Sequence, residues 1–372
     1  MRLGIIGGGQ LGQMLGIAAR ELGHECLFLD PSGEPPARKA GPVIQAAFDD
    51  TAALAILAEK CDVLTYEFEN VPVGALESIA DLAPIHPPLG ALNQAQDRLA
   101  EKRLFETVGI PLPGFHTVDS EADLEAAVAR LGLPVVLKTC RLGYDGKGQY
   151  VVRDAGEIPA AVDALGGHNL IAEEWIDFDY EVSAIGVRNT GGEIATYCLT
   201  HNEHEGGILR RSRAPVPEAG LARIANDYLG RMLVHLDYVG VLALELFVVG
   251  DALLANEFAP RVHNSGHWTI EGAATSQFAN HVRAITGAAP GPTANRDFAG
   301  MLNLIGTIPD AARDAVRRCP QAVLHDYGKA PRPGRKLGHI TVTAETDAVR
   351  DRLLAEIGES VTESSAATGR PA

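Results

Sequence analysis

Apolar positions along the chain fall into short runs whose period changes partway down it. Over residues 1–95 four- to six-residue apolar runs alternate with segments of helical period. Strands are expected at 3–6, 26–30 and 62–66, with helices at 11–22 and 51–60. That alternation predicts an open parallel α/β sheet. One helix is expected over 91–108, ended by Gly109. From Pro134 the runs follow one another across short connections, at 135–138, 150–152, 170–175, 182–187 and 194–199, which predicts a mainly antiparallel region. A helix at 221–235 follows. Two apolar strands, 242–249 and 252–258, then flank Gly250-Asp251, a two-residue hairpin turn. The segment 288–293 (AAPGPT) reads as a linker, and further strands are expected at 301–305, 323–326 and 339–343. The expected domains are therefore 1–95, 96–290 with a flexible lid at about 134–180, and a small C-terminal domain at 291–360. A mobile tail rich in Ser, Thr, Ala and Gly covers 361–372.

Composition narrows the class. The 372 residues are 46% apolar and 22% charged, as in ordinary globular proteins, and carry a formal net charge of −16. That charge disfavours nucleic acid and anionic membrane as partners, although a local basic pocket remains possible. No apolar run reaches membrane-spanning length. The five cysteines (26, 61, 140, 198, 319) show no C-x-x-C spacing, so neither zinc nor a disulfide framework is indicated. With the first strand starting at residue 3 and no leader ahead of it, a cytoplasmic enzyme is expected.

The chemistry-bearing segments modify this picture one by one. Gly7-Gly8-Gly9-Gln10-Leu11-Gly12 joins a strand to a helix, and Asp30 closes the next strand. Alone this is a dinucleotide-binding fingerprint, and a substrate phosphate could use the same turn. Everything downstream speaks of triphosphate chemistry instead. In the hairpin, Glu245 and Glu257 fall within about one residue of facing each other among Leu244, Leu246, Phe247 and Phe258. Two carboxylates there repel unless a cation lies between them, and Mg²⁺ with ATP phosphates is a common solution. The bland alternative is a solvated acidic face. Lys138 ends an apolar strand, and Gly143, Gly146 and Gly148 then punctuate a loop whose backbone N–H groups can curl over phosphate; its spacing is not a Walker A motif. Arg98 and Lys102 lie one helical turn apart and face either a phosphate or solvent. Segment 170–176 can offer its backbone to an adenine edge, with Glu181 at ribose hydroxyls. His201, Glu203 and His204 suggest a polar substrate-lining loop rather than zinc. Lys329, Arg332, Arg335 and Lys336 concentrate four cations in eight residues, which suits a phosphomonoester.

Taken in order, Gly9-Gln10-Leu11-Gly12, Thr65-Tyr66-Glu67-Phe68-Glu69-Asn70-Val71, the loop from Gly143 to Gln149, Leu199-Thr200-His201-Asn202, Gly206-Gly207-Ile208-Leu209-Arg210, Asn256-Glu257 through Trp268, and Arg332 through His339 span nearly the whole chain. This set resembles the ATP-grasp superfamily and, within it, the 5-(carboxyamino)imidazole ribonucleotide synthase family of purine biosynthesis. The resemblance implies an ATP-grasp fold: an N-terminal open parallel, Rossmann-like α/β domain, a central ATP-grasp domain and a small C-terminal domain. It implies an ATP-dependent carbon–nitrogen ligase with ATP and Mg²⁺ as cofactors, aminoimidazole ribonucleotide and bicarbonate as substrates, and a homodimer as the assembly. ATP would be met by Arg98, Lys138, Gly143, Tyr144, Asp145, Gly146, Lys147, Gly148, Gln149, Glu173, Glu174, Trp175, Ile176, Glu181, His204, Asn256 and Glu257. Mg²⁺ would lie on Glu245 and Glu257. The ribonucleotide would meet Tyr144, Asp145, Arg261, His263, Lys329 and Arg335, the last two at its phosphate. Arg261, His263, Asn264 and Asp145 would take part in the chemistry, with bicarbonate at the first three. One departure stands out: Leu142 occupies a position where this family usually has glycine, and Cys140 one where Arg is common. A related alternative is the formate-dependent phosphoribosylglycinamide formyltransferase, which tends to carry a Pro-Arg-Pro-His-Asp-Thr-Gly type segment. Pro260-Arg261-Val262-His263-Asn264-Ser265-Gly266 fits the carboxylating family better. Readings from other classes, a non-catalytic nucleotide-binding regulator or a nicotinamide oxidoreductase, are disfavoured by the acid pair with Lys138 and by the downstream motifs.

Overall fold

A computed structural model describes residues 1–143, 148–166 and 168–367. The N-terminal sheet is parallel, in the order β3-β2-β1-β4, from β1 (Arg2–Ile6), β2 (Glu25–Asp30), β3 (Val43–Gln45) and β4 (Val63–Tyr66). β1 and β4 are buried along nearly their whole length, because helices cover both faces. A second, antiparallel sheet holds β5 (Phe115–Val118), β6 (Val135–Thr139), β7 (Gln149–Val152) and β8 (Leu170–Glu174) in the order β5-β8-β6-β7. It therefore begins about twenty residues ahead of the expected lid boundary at 134.

The third sheet has nine strands: β9 (Tyr180–Arg188), β10 (Ile194–Thr196), β11 (Thr200–Glu205), β12 (Ile208–Ala214), β13 (Gly240–Val249), β14 (Ala252–Ala259), β15 (Phe298–Ile305), β16 (Ala322–Asp326) and β17 (Lys336–Ala344). Its order is β14-β13-β9-β11-β12-β15-β17-β16, with β10 beside β9. β12 pairs with β15 from Arg211↔Leu302 to Ala214↔Ala299, so the C-terminal strands extend the central sheet instead of forming one of their own. The Pro- and Gly-rich segment at 288–293 links two stretches of one sheet. β13 carries the deepest core: Leu242, Leu244, Leu246 and Val248 on one face and Val241 and Ala243 on the other are all at most 1% exposed. Each large aliphatic side chain there contributes roughly 1.5–3 kcal/mol by leaving water.

Four expectations are corrected. The single helix over 91–108 is two helices, Leu89–Ala95 and Arg98–Thr107, because the Asp97 side chain caps the second by accepting from Leu99 N and Ala100 N. The polar stretch around His201 is not a loop. It is β11, hairpinned onto β12 through Gly206 and Gly207, whose φ values of +59° and +77° only glycine adopts readily. Of the strand expected at 194–199 only Ile194–Thr196 forms one, β10, and β11 starts beyond it at Thr200. Finally, a helix over Asp347–Ala367 runs past residue 361, where a mobile tail was expected. No helix among the described residues is long and apolar enough to cross a membrane, and all five cysteines are free thiols.

Candidate active site

Between the second and third sheets lies a cleft of about 440 Å³, lined by Arg98, Lys138, Gly143, Gln149, Glu173–Ile176, Glu181, His204, Glu245, Asn256, Glu257, Arg261, His263 and Lys336. Of the expected site residues, Tyr144, Asp145, Gly146 and Lys147 lie outside the described residues.

The acid pair is built by the hairpin. Glu245 on β13 is directly paired with Glu257 on β14, and the register slips immediately afterwards, Leu246 pairing with Ala255. Asn256 is thus the extra residue of a β-bulge, a device that re-aims neighbouring side chains. Its carbonyl accepts from Lys102 Nζ at 2.7 Å. Glu245 is 8% exposed, and burial together with the facing Glu257 pushes its carboxyl up to about 7. Around it converge Glu181 from β9 and His204 from β11, with one possible ligand atom of each of the three residues within 4.8 Å of the others. His204 Nδ1 stands 2.8 Å from Glu181 Oε2. Three carboxylates, Glu245 buried and Glu181 and Glu257 partly exposed, with His204 against Glu181 and Arg98 against Glu257, fit a divalent cation. The hairpin turn allows this register because Gly250 takes φ +58°.

A cationic wall faces the acids. Lys138 Nζ donates to Glu173 Oε2 at 2.8 Å, and Lys102 Nζ lies 3.5 Å from the same oxygen. Burial alone would raise Glu173; the two lysines hold it down to about 2. Glu173 therefore anchors the wall from behind. Lys102, 1% exposed, faces this interior and not a phosphate. Arg98 reaches Glu257 at 3.4 Å. Glu174 turns outward, accepting from Gly114 N at 3.0 Å, while Trp175 remains 45% exposed at the mouth. Phe178 stacks on Phe247 with centroids 4.6 Å apart, giving the cleft an apolar floor. At the loop's entry, Leu142 has φ +63°, a left-handed conformation natural to glycine.

Beyond the acid pair, Arg261 bonds Glu69, and His263 Nε2 stands 3.4 Å from Glu245 Oε1. Asn264 is placed differently from Arg261 and His263. It does not line the cleft; its amide pairs with that of Asn303 on β15, at 3.1 Å and 2.6 Å. Lys329 and Arg335 are not on the cleft wall either. Lys329 bonds Gln10 at the N-terminal glycine turn, and Arg335 donates to the Ala330 carbonyl at 3.2 Å.

That glycine turn is occupied by the chain itself. Gly9 N and Gly12 N donate to the two oxygens of Glu67, the latter at 2.6 Å, and Gly8 N donates to Asp30 Oδ2 at 2.7 Å. The acid that a dinucleotide site holds for ribose, and the N–H groups it holds for pyrophosphate, thus satisfy each other or Glu67. The turn offers a substrate phosphate no free N–H at Gly8, Gly9 or Gly12. Sequence reasoning assigned no role to Glu67, Glu69, Gln10, Ser265, Gln277 or Asn303, and placed Lys336 in a phosphate-binding loop, whereas it lines the cleft. The alternation of Glu67 and Glu69 after an apolar strand was the available signal for the first two.

Comparisons with known proteins agree with this geometry. Residues 103–278 match the ATP-grasp domain, residues 1–96 the ribonucleotide synthetase preATP-grasp domain, and residues 299–352 the phosphoribosylaminoimidazole carboxylase C-terminal domain. The fold and cleft are those of an ATP-grasp enzyme. A relative from Pseudomonas aeruginosa, N5-carboxyaminoimidazole ribonucleotide synthase, is 47% identical, covering 96% of this chain and 98% of its own. The crystal structure of N5-carboxyaminoimidazole ribonucleotide synthetase from Thermus thermophilus superposes with a TM-score of 0.93 at 49% identity, covering 97% and 98%. The Aspergillus clavatus N5-carboxyaminoimidazole synthase in complex with ADP and 5-aminoimidazole ribonucleotide gives 0.90 at 32%, again covering 97% and 98%. The chain belongs to the N5-carboxyaminoimidazole ribonucleotide synthase family.

Proposed function

We propose that this chain is an ATP-dependent carbon–nitrogen ligase. It carboxylates 5-aminoimidazole ribonucleotide with bicarbonate in purine biosynthesis, releasing ADP and phosphate. The observation that carries the reading is the directly paired Glu245 and Glu257, opposed across one cleft by Lys138 and Arg98. Glu245 and Glu257 would hold Mg²⁺, with Glu181 and His204 beside them; a bound Mg²⁺ neutralises charge on the transferring phosphoryl group. Lys138 and Arg98 bind and orient the phosphates, while Trp175, Ile176 and the Phe178–Phe247 pair offer the base an apolar, hydrogen-bonding edge. Bicarbonate is a poor electrophile, so ATP first phosphorylates it to carboxyphosphate. That labile species yields CO₂ inside the cleft, where the exocyclic amine of the ribonucleotide attacks. Arg261, oriented by Glu69, and His263 bind the anion. The loop 143–149 serves as a lid that excludes water. Lys329 and Arg335 meet the ribonucleotide phosphate, Lys329 leaving Gln10 to do so. The same reading makes the enzyme a cytoplasmic homodimer.

The test is phosphate release from Mg-ATP plus bicarbonate, with and without aminoimidazole ribonucleotide. Release stimulated by the ribonucleotide and lost when bicarbonate is stripped is the expected result. Turnover on glycinamide ribonucleotide plus formate instead would keep the fold and move the substrate assignment to the formyl-transferring relatives.

A further inference from the structure

β14 is an edge strand of the central sheet, with β13 on one side only. The helix Arg98–Thr107 meets its outward backbone groups. Phe258 N donates to Glu101 Oε1 at 2.7 Å, and Lys102 Nζ donates to the Asn256 carbonyl at 2.7 Å. Those two groups belong to the peptides on either side of Glu257. From the same helix, Arg98 Nη1 stands 3.4 Å from Glu257 Oε2. Positions 98, 101 and 102 are spaced i, i+3, i+4 and so share one helix face. Glu101 is 3% exposed and Lys102 1%. The helix itself is tied down, because Asp97 caps it and Arg98 N donates to the Cys140 carbonyl at 2.9 Å.

A buried edge strand needs partners for its outward N–H and C=O groups, and that need alone would account for such bonds anywhere along β14. Their placement is more specific. Between the pairs Glu245↔Glu257 and Leu246↔Ala255 the ladder slips, and Asn256 has no partner on β13. The sheet fixes the backbone least at such a bulge, and there the two side chains grip it. Lys102 also lies 3.5 Å from Glu173 Oε2, the oxygen that holds Lys138. One buried ammonium thus joins the acid hairpin to the cationic wall opposite.

We propose that Glu101 and Lys102 are positioning residues that clamp the peptides flanking Glu257 and so fix where its carboxylate meets the cation. The cation rests on the function proposed above; the grip on the backbone does not. Both side chains act through the backbone of Glu257, and a ligand residue held loosely binds metal less well even with its own oxygens intact. A carboxyl oxygen accepts an N–H whether or not the group is ionised. The contact with Phe258 is therefore independent of the charge on Glu101. Glutamine keeps an acceptor at that place, and methionine removes it.

The test titrates Mn²⁺, an ion that shares the oxygen-ligand preference of Mg²⁺, into full-length protein holding an equal amount of ADP. Free Mn²⁺ is read by electron paramagnetic resonance. Wild type should bind an ion that Glu257→Gln loses. Glu101→Met and Lys102→Met should each weaken it about tenfold or more, the scale for outer partners of metal ligands, and Glu101→Gln should recover most of the affinity. In turnover, the Mg²⁺ concentration for half-maximal phosphate release should rise by the same factor, with the KM for the ribonucleotide within about twofold. The two residues hold different peptides, so each Met variant tests the clamp should the other not fold. Met variants that melt earlier but bind Mn²⁺ as wild type does would make the contacts edge cover only and overturn the proposal. Glu101→Gln as impaired as Glu101→Met would overturn it too, since charge and not the acceptor would then matter. A wild-type ion indifferent to Glu257→Gln would sink the metal reading and the clamp together. The expected Mn²⁺ pattern without ribonucleotide-stimulated phosphate release would count against the substrate assignment alone and leave the clamp supported.

Discussion

Glu67 and the Glu245–Glu257 pair are acids in or just after apolar strands, yet their oxygens meet opposite surroundings. Both Glu67 oxygens accept from backbone N–H groups of the glycine turn. Glu245 and Glu257 face each other, with one arginine and one histidine at 3.4 Å from the pair. The first arrangement is closed upon itself and the second is open to a cation. A glycine fingerprint thus marks the place where nothing more needs to bind, and an outwardly ordinary hairpin marks the place where something does.

The largest expected effect comes from the open pair. Glu257→Gln removes one of the two facing charges, and phosphate release should fall at least 100-fold, on the scale of losing an electrostatic contact to the transferring group, while the circular-dichroism spectrum is retained. Near-normal turnover would sink the metal role. For the closed acid the prediction reverses. Glu67→Ala leaves two buried N–H donors unpaired, at a cost of about 2–5 kcal/mol, visible as an earlier urea transition. Reduced nicotinamide cofactor should give no fluorescence change in either protein. Tight binding to wild type would break the contrast.

A third, smaller effect concerns pH. The Glu245 carboxyl is raised from 4.5 to about 7 by burial and by Glu257. The folded state therefore holds this proton more tightly than the unfolded chain. The associated stability is present below about 4.5 and is lost as pH rises through about 7, on the order of 3 kcal/mol. Without Mg²⁺ the melting temperature should decline across that window more steeply in wild type than in Glu245→Gln. Added Mg²⁺ should protect increasingly as pH rises, because it competes with the proton. An identical slope in both proteins would remove the link. The smallest effect is at Leu142. Leu142→Gly relieves a left-handed leucine at about 1–2 kcal/mol but adds unfolded-state entropy of about 0.5–1 kcal/mol. A net gain below about 1 kcal/mol is expected in thermal melts, and a loss would show that the exposed leucine makes a contact worth more than its backbone strain.

What could be read from the residues alone follows the range of the interactions involved. The parallel N-terminal sheet, the hairpin and the pairing of Glu245 with Glu257 depend on local period and a two-residue turn, and they were legible. So was the presence of Arg98, Lys138, His204, Arg261 and His263 in one cleft, through the ordered motifs. The occupied glycine turn was not legible, because Glu67 lies 55 residues from Gly12 and nothing local announces that its carboxylate returns there. The break at Asp97 was missed because helical period continues through the cap. Asn264 was read as facing the cleft, since its partner Asn303 sits 39 residues away on a strand assigned to another domain.

That last strand has a consequence for anyone who cuts the gene. Because β15 lies hydrogen-bonded along β12, a fragment ending near residue 290 would not shed a detachable module. It would leave the backbone of Arg211 to Ala214 without the partner strand recorded there, as a raw border ready to recruit another chain. Such a fragment is expected to associate with itself, whereas the whole chain keeps that seam internal.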